Sequence, residues 1–304
     1  MTILVTGGAG FVGRHIVAQL AGADEKVVTY DRDYSQPAGS GAVAVQGELF
    51  DLPALVRTLA DHDVGAVIHT AAMSHPEISV ALPLTTFAAN VEGTLHLLEA
   101  ARMAGVRRIV NFSSECAYGD QDEGATVHES ACPRPSTPYG VSKVTTEHLG
   151  RVYSQLYGLD VVSLRLTEVY GPGLRMPEVL KDMVVAALRG ETFALSHGAG
   201  HRFQFIHVED AARAAILAAR ASAPRQGIYN ISGGSQVTLG ELAGLVRARL
   251  PGARIDLGPG HWPGWDRQGP FDISAAAREL GYSPQWPLER GLDSYLAWLR
   301  EHPL

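Results

Sequence analysis

Tyr139 and Lys143 stand four residues apart in Pro138-Tyr-Gly-Val-Ser-Lys143, and on a helix that spacing puts both on one face. A free phenol titrates near ~10 and is a poor base at neutral pH. A cation one turn away stabilises the phenolate, which moves tyrosine toward the range useful for general acid–base work. Upstream, Ser113-Ser114 closes the stretch 107–112, which reads as a strand. Strand ends in an alternating strand–helix sheet face the ligand crevice. Ser114 is thus placed to hydrogen-bond the substrate oxygen that Tyr139 deprotonates.

Such a base needs an electron acceptor, and the N-terminus supplies a place for one. Ile3-Leu4-Val5 reads as a strand, Gly7-x-x-Gly10-x-x-Gly13 as a turn, and the pattern Phe11, Val12, Ile16, Val17, Leu20 as a helix. In a dinucleotide-binding turn, Gly7 permits the bend, Gly10 leaves room for the pyrophosphate, and Gly13 lets the helix close on the strand. The N–H groups at Phe11 and Val12 then face the phosphates. A second strand ends at Asp31, and an acid about 20 residues past the glycines bonds the ribose hydroxyls of NAD. Asp31 would repel the extra phosphate of NADP, which outweighs the neighbouring Arg32; the expected cofactor is NAD. Glu48 and Leu49 follow the third strand, on the adenine side. Thr70, Ala71 and Ala72 follow the fourth and let the backbone lie against the cofactor. The bound nicotinamide would add positive charge beside Tyr139.

The 304-residue chain is 46% hydrophobic and carries a net charge of -7, so no basic face is offered to nucleic acid or an anionic membrane. Met1 leads directly into the first strand without a leader-like segment, and no apolar run is long enough to span a bilayer; a cytoplasmic protein is expected. Cys116 and Cys132 read as reduced thiols. The histidines show no ligand spacing, so no metal is expected. His69 reads as a packed strand-end residue.

Strands alternate with helices as far as residue 167, which predicts a doubly wound parallel sheet of the Rossmann type, α/β in class. The expected division is an NAD-binding domain over 1–167 and a smaller, mostly substrate-binding lobe over 168–304, with segments near 205–232 returning to the sheet. Long helices are expected over 83–104 and from Pro138, with others over 52–60, 177–189, 208–220 and 239–250. The loop 258–270 carries Trp262 and Trp265 and either closes over substrate or packs the lobe interface.

These motifs resemble the extended short-chain dehydrogenase/reductase superfamily, in the NAD-dependent epimerase/dehydratase group that includes UDP-glucose 4-epimerase. The resemblance runs through 6–13, Asp31, 69–72, Asn90-Val-Glu-Gly-Thr94, 113–119, 139–143, Tyr170-Gly-Pro172, 205–210 and 272–281. It implies that Tyr139 is the base, that Lys143 holds the nicotinamide ribose and tunes Tyr139, and that Ser114 binds the reacting hydroxyl. It implies Asn90 in support of the cofactor site, and a homodimer through the helices beginning near Pro83 and Pro138. In an epimerase a hydride leaves the sugar carbon and returns to its other face.

Departures from the family pattern shape the substrate expectation. Dehydratases carry Asp-Glu after the serine or threonine; here Glu115 and Cys116 stand there, so the usual base for water elimination is missing. Glu168 replaces an asparagine near the diphosphate. Phe203 and Gln204 replace an arginine–aspartate pair, with Arg202 one step off, while Arg267 falls where a second phosphate-binding arginine is expected. His75 and Arg175 are placed by position alone. The expectation is a nucleotide-sugar 4-epimerase; the alternative is a dehydrogenase of a smaller polyol, sugar acid or hydroxy compound.

Overall fold

The computed structural model describes residues 1–304 except 24, 35–40 and 223. Strands β1 (Thr2–Thr6), β2 (Val27–Asp31), β3 (Ala42–Gln46), β4 (Val64–His69), β5 (Arg108–Ser114) and β6 (Asp160–Leu166) lie parallel in the order 3-2-1-4-5-6. The short strand β7 (Glu168–Tyr170) pairs with β10 (Phe205–His207) at the edge of the second lobe. Strands β8 (Thr192–Leu195) and β13 (Arg254–Leu257) form a second ribbon, and β9 (Arg202–Phe203) and β12 (Val237–Thr238) a third. Strand β11 (Ile228–Ile231) returns to β6 and completes a seven-stranded sheet.

Side-chain alternation explains why both faces are covered. Ile3 and Val5 point to one face, where Ile16, Val17 and Leu20 of α1 (Phe11–Ala21) meet them. The later helix Val208–Arg220 packs on the same face, its alanines letting it lie close. Leu4 points the other way, toward Leu55 and Leu59 of α2 (Leu52–Asp61) and toward Leu97 and Leu98. Strands buried on both faces read as continuous apolar runs, as β1 does.

The expected helix spans 83–104 without a break, and its hydrogen-bond spacing changes for one turn inside it. After α3 (Pro76–Ala81), α4 (Pro83–Phe87) leads into a π-helical turn, Ala88–Glu92, and then α5 (Gly93–Ala104). Such turns are often found at functional sites, and Asn90 sits within this one. Helix α6 (Pro138–Tyr157) starts on the Thr137 hydroxyl, which accepts the Gly140 N–H at 3.2 Å, and has Pro138 in its first turn. Helix α7 (Val179–Leu188) begins later than the expected Pro177, because both carboxylate oxygens of Glu178 cap it by accepting the N–H groups of Leu180 and Lys181 at 2.9 Å.

Helix α8 (Val208–Arg220) has the expected bounds, and α9 (Leu239–Arg249) has them within a residue. Helices α10 (Ser274–Leu280) and α11 (Leu288–Glu301) close the chain. Helices α7, α9 and α11 enclose a separate core around Leu180, Met183, Leu242, Val246, Leu292 and Tyr295, beyond the carboxyl ends of β5 and β6. Among the described residues, no helix is long and apolar enough to cross a membrane.

Candidate active site

The glycine turn is built as its spacing implies. Gly7 has φ +70°, and a Cβ there would lie 2.8 Å from the Ala71 nitrogen. A Cβ on Gly13 would come within 2.1 Å of the Gly7 carbonyl, so only glycine lets α1 meet β1 here. Asp31 Oδ2 accepts the Ala9 N–H at 3.0 Å, so this carboxylate also fastens the turn. The Thr70 hydroxyl donates to the Thr6 carbonyl at 2.8 Å and joins β4 to the same strand end. Gly7, Gly10, Phe11, Val12, Asp31, Arg32, Glu48, Leu49, Thr70, Ala71 and Ala72 line one cleft of about 740 Å³, whose wall also holds Ser114, Tyr139 and Lys143. The glycine cradle, the acid at the end of β2 and the small residues after β4 fit a dinucleotide.

Asn90 lies outside the cleft wall. Its Oδ1 accepts the Met73 N–H at 2.8 Å, and its Nδ2 donates to the Met73 carbonyl at 3.1 Å and to Ser142 Oγ at 3.0 Å. The amide therefore positions the loop after β4, next to the cleft-lining Thr70, Ala71 and Ala72, against α6.

Tyr139, Lys143 and Ser114 are all buried at the junction of β5 and α6. Lys143 Nζ donates to the Phe112 carbonyl at 2.7 Å and lies 5.4 Å from the centre of the Tyr139 ring. Burial pulls the Lys143 ammonium down to about 8, against opposing pulls from Cys116 and Glu147. Burial pushes the Tyr139 phenol above its ordinary value; the acids in the cleft add to this and the Ser114 hydroxyl opposes it. Without cofactor, desolvation therefore prevails, and Tyr139 is a neutral phenol.

Behind these groups, Arg165 on β6 donates from Nε and Nη2 to the two Glu147 oxygens at 2.8 and 2.7 Å, and Ser113 Oγ donates to Glu147 Oε1. This buried lock ties α6 to β5 and β6. His69 is a packed residue, as expected: Nδ1 meets Thr6 Oγ1 at 2.7 Å, Nε2 meets Thr94 Oγ1 at 3.0 Å, and burial pulls its pKa to about 3.

Past Glu115, Cys116 and Glu168 the cleft meets a smaller pocket of about 260 Å³ under Trp262 and Trp265, with Arg202 on its wall. Burial, then Glu168 and Asp266, push Glu115 well above the usual carboxylate range, and burial raises Glu168 to about 7. Burial also raises the Cys116 thiol, which stays protonated and cannot replace the missing base. His75 and Arg175 line the larger cleft, but His75 Nε2 is occupied with the Pro177 carbonyl at 3.2 Å. Arg267 does not line either cavity: it turns to Asp120, whose Oδ1 accepts its backbone N–H at 2.7 Å. Among the described residues, no group of three His, Cys, Asp or Glu side chains could hold a metal ion.

Sequence reasoning misses Glu147, Arg165, Glu178 and Asp266. Glu147 alone carries a signal, since it lies four residues past Lys143 on the same helix face. Arg165 depends on how α6 packs against β6, and Glu178 and Asp266 on which segments fold beside the cleft.

A model of the NAD dependent epimerase/dehydratase family matches residues 3–232. The chain belongs to that family. A dTDP-glucose 4,6-dehydratase of Actinoplanes sp. is 31% identical, across 99% of this chain and 98% of that protein. Among solved structures, UDP-glucose 4-epimerase of Thermotoga maritima with UDP-glucose superposes with TM-score 0.91 at 29% identity, covering 99% of each chain. The UDP-glucose 4-epimerase of Thermus thermophilus in complex with NAD gives TM-score 0.90 at 30% identity, covering 99% of this chain and 100% of that one. As a member of this family the chain is an NAD-dependent enzyme of the extended short-chain dehydrogenase/reductase type.

Proposed function

We propose that this enzyme is a nucleotide-sugar 4-epimerase working through a transient keto sugar. The observation that carries the reading is the grouping of Ser114, Tyr139 and Lys143 on one cleft wall, with Cys116 in place of the acid that elimination would need. Bound NAD supplies a reversible two-electron acceptor, and its positive ring opposes the desolvation that keeps Tyr139 neutral. Ser114 Oγ and the Tyr139 hydroxyl hold the sugar hydroxyl between them. With NAD bound, Tyr139 would stand as the phenolate steadied by Lys143; it takes the proton as the carbon is oxidised and returns it when the carbon is reduced on its other face. The relatives' nucleotide-sugar names and matching folds support the substrate class.

UDP-glucose or dTDP-glucose incubated with the enzyme and NAD should yield the 4-epimer without accumulating NADH. A 4-keto-6-deoxy product, or NADH with no epimer, would contradict the proposal.

A second reading, a dehydrogenase of a smaller hydroxy compound, is favoured by one set of observations. Phe203 is packed where the family has arginine, Glu168 faces the pocket, and Arg267 is held by Asp120. That reading expects steady NADH production from free polyols or sugar acids. We further propose a cytoplasmic homodimer. The free thiols of Cys116 and Cys132 fit a reducing compartment, and exposed Leu95, Val141 and Val152 on α5 and α6 fit a helical interface.

A further inference from the structure

The pocket beyond Ser114 holds more acid than anything in the chain balances. Glu77, Glu115, Glu168 and Asp266 line it, against the single exposed guanidinium of Arg202. Among the described residues, no ion pair reaches Glu115, Glu168 or Asp266. Asp266 accepts only the Ser136 hydroxyl, at 2.9 Å, among the hydrogen bonds found. The adjacent cation, Arg267, points away to Asp120. Glu115, Glu168 and Asp266 are half-buried; acids withdrawn from water are ordinarily paired or neutralised, and here, among the described residues, the fold provides no cation beside them.

A separate observation comes from the cleft that adjoins this pocket. Thr167 is 3% exposed and lines the cleft beside Glu168, yet its hydroxyl oxygen has no hydrogen-bond partner. At the other side of the pocket His201 is 1% exposed and its Nδ1 is also unpartnered. Buried polar atoms without partners are uncommon. Burial holds the His201 imidazole below its ordinary pKa, so it does not serve as the missing cation.

We propose that the substrate of this site carries a protonated amino group on its sugar, seated between Glu115 and Glu168 with the Thr167 hydroxyl as a further acceptor. The proposal rests on the sugar-alcohol reading above, and it also sets a rule of rejection: a sugar carboxylate, as in a uronic acid, meets like charge. An ammonium favours the ionised carboxylates, so its binding drives protons off the pair. Affinity for the amino sugar should therefore weaken as pH falls through about 7, where Glu168 takes up its proton.

The test compares kcat/KM of the NAD-loaded enzyme for UDP-glucosamine, UDP-glucose and UDP-glucuronic acid, with free glucosamine as a fourth probe. The proposal expects UDP-glucosamine to exceed UDP-glucose on the order of tenfold, with UDP-glucuronic acid below both. It expects the KM for the amino sugar, but not for glucose, to rise as pH is lowered through about 7. Glu168→Gln should bring the amine-to-neutral ratio toward one, which a purely structural role for Glu168 would not do. Equal or better turnover of UDP-glucose, or a ratio indifferent to Glu168→Gln, would overturn the inference while leaving the epimerase reading intact. Turnover of free glucosamine with every nucleotide sugar inert would overturn the epimerase reading and leave this one standing.

Discussion

Tyr139 is a base only when something offsets its burial, and the protein by itself does not do so. Tyr139→Phe should lower turnover by about 10²–10⁴-fold, the usual contribution of a positioned acid–base group. NAD affinity, followed by cofactor fluorescence, should be little changed; unchanged turnover would remove Tyr139 from the mechanism. Gly13→Ala brings a Cβ to 2.1 Å from the Gly7 carbonyl, so α1 must shift off β1. Its expected outcome is weaker NAD binding and a lower Tm. At this scale the sequence is most informative where chemistry depends on local spacing: the tyrosine and lysine four apart, the glycines three apart, and the serine at a strand end. It says less about which tertiary partner a side chain meets. Arg267 goes to Asp120, 147 positions away, and Asn90 goes to Met73.

The element that carries the chemistry is α6, and its position is set by the Glu147–Arg165 lock against β5 and β6. Removing one member of a buried pair leaves an uncompensated charge and costs about 3–5 kcal/mol. Arg165→Met should therefore lose stability of that order in denaturant unfolding, and Glu147→Gln added to it should restore part of the loss. Full additivity of the two changes would show that the pair is not coupled. The start of α6 and the bounds of α8 are legible because caps and apolar periodicity agree there. The π turn at Ala88–Glu92 is not, since one wider turn shifts the apolar phase too little to stand out in a single sequence. The start of α7 is obscured by Pro177, a good first-turn residue that the Glu178 cap leaves outside the helix.

Over the whole molecule, the acids of the cleft set an unusual pH response. Burial raises Glu168 to about 7 and Glu178 to about 8, so the folded chain holds protons that the unfolded chain has released. Stability falls with rising pH wherever the native state binds more protons. From these groups, stability is fully present below their ordinary value and is lost as pH rises through about 7 to 8. The cofactor-free protein should thus show a Tm contribution that declines across that window, and Glu168→Gln should flatten it; a Tm rising over the same window in both proteins would contradict the assignment. The sheet and its order are legible in the alternation of strands and helices. The way the second lobe closes over the cleft is not, because β7, β9 and β12 are too short to leave a period.

The account depends above all on Tyr139 working with a resident NAD to oxidise and then reduce one sugar carbon. The most direct measurement uses a nucleotide sugar deuterated at C4, with mass spectrometry of both product and cofactor. The account predicts an epimer that keeps its deuterium, and no labelled NADH in solution. Deuterium accumulating in released NADH, or an epimer that has exchanged it for solvent hydrogen, would contradict it.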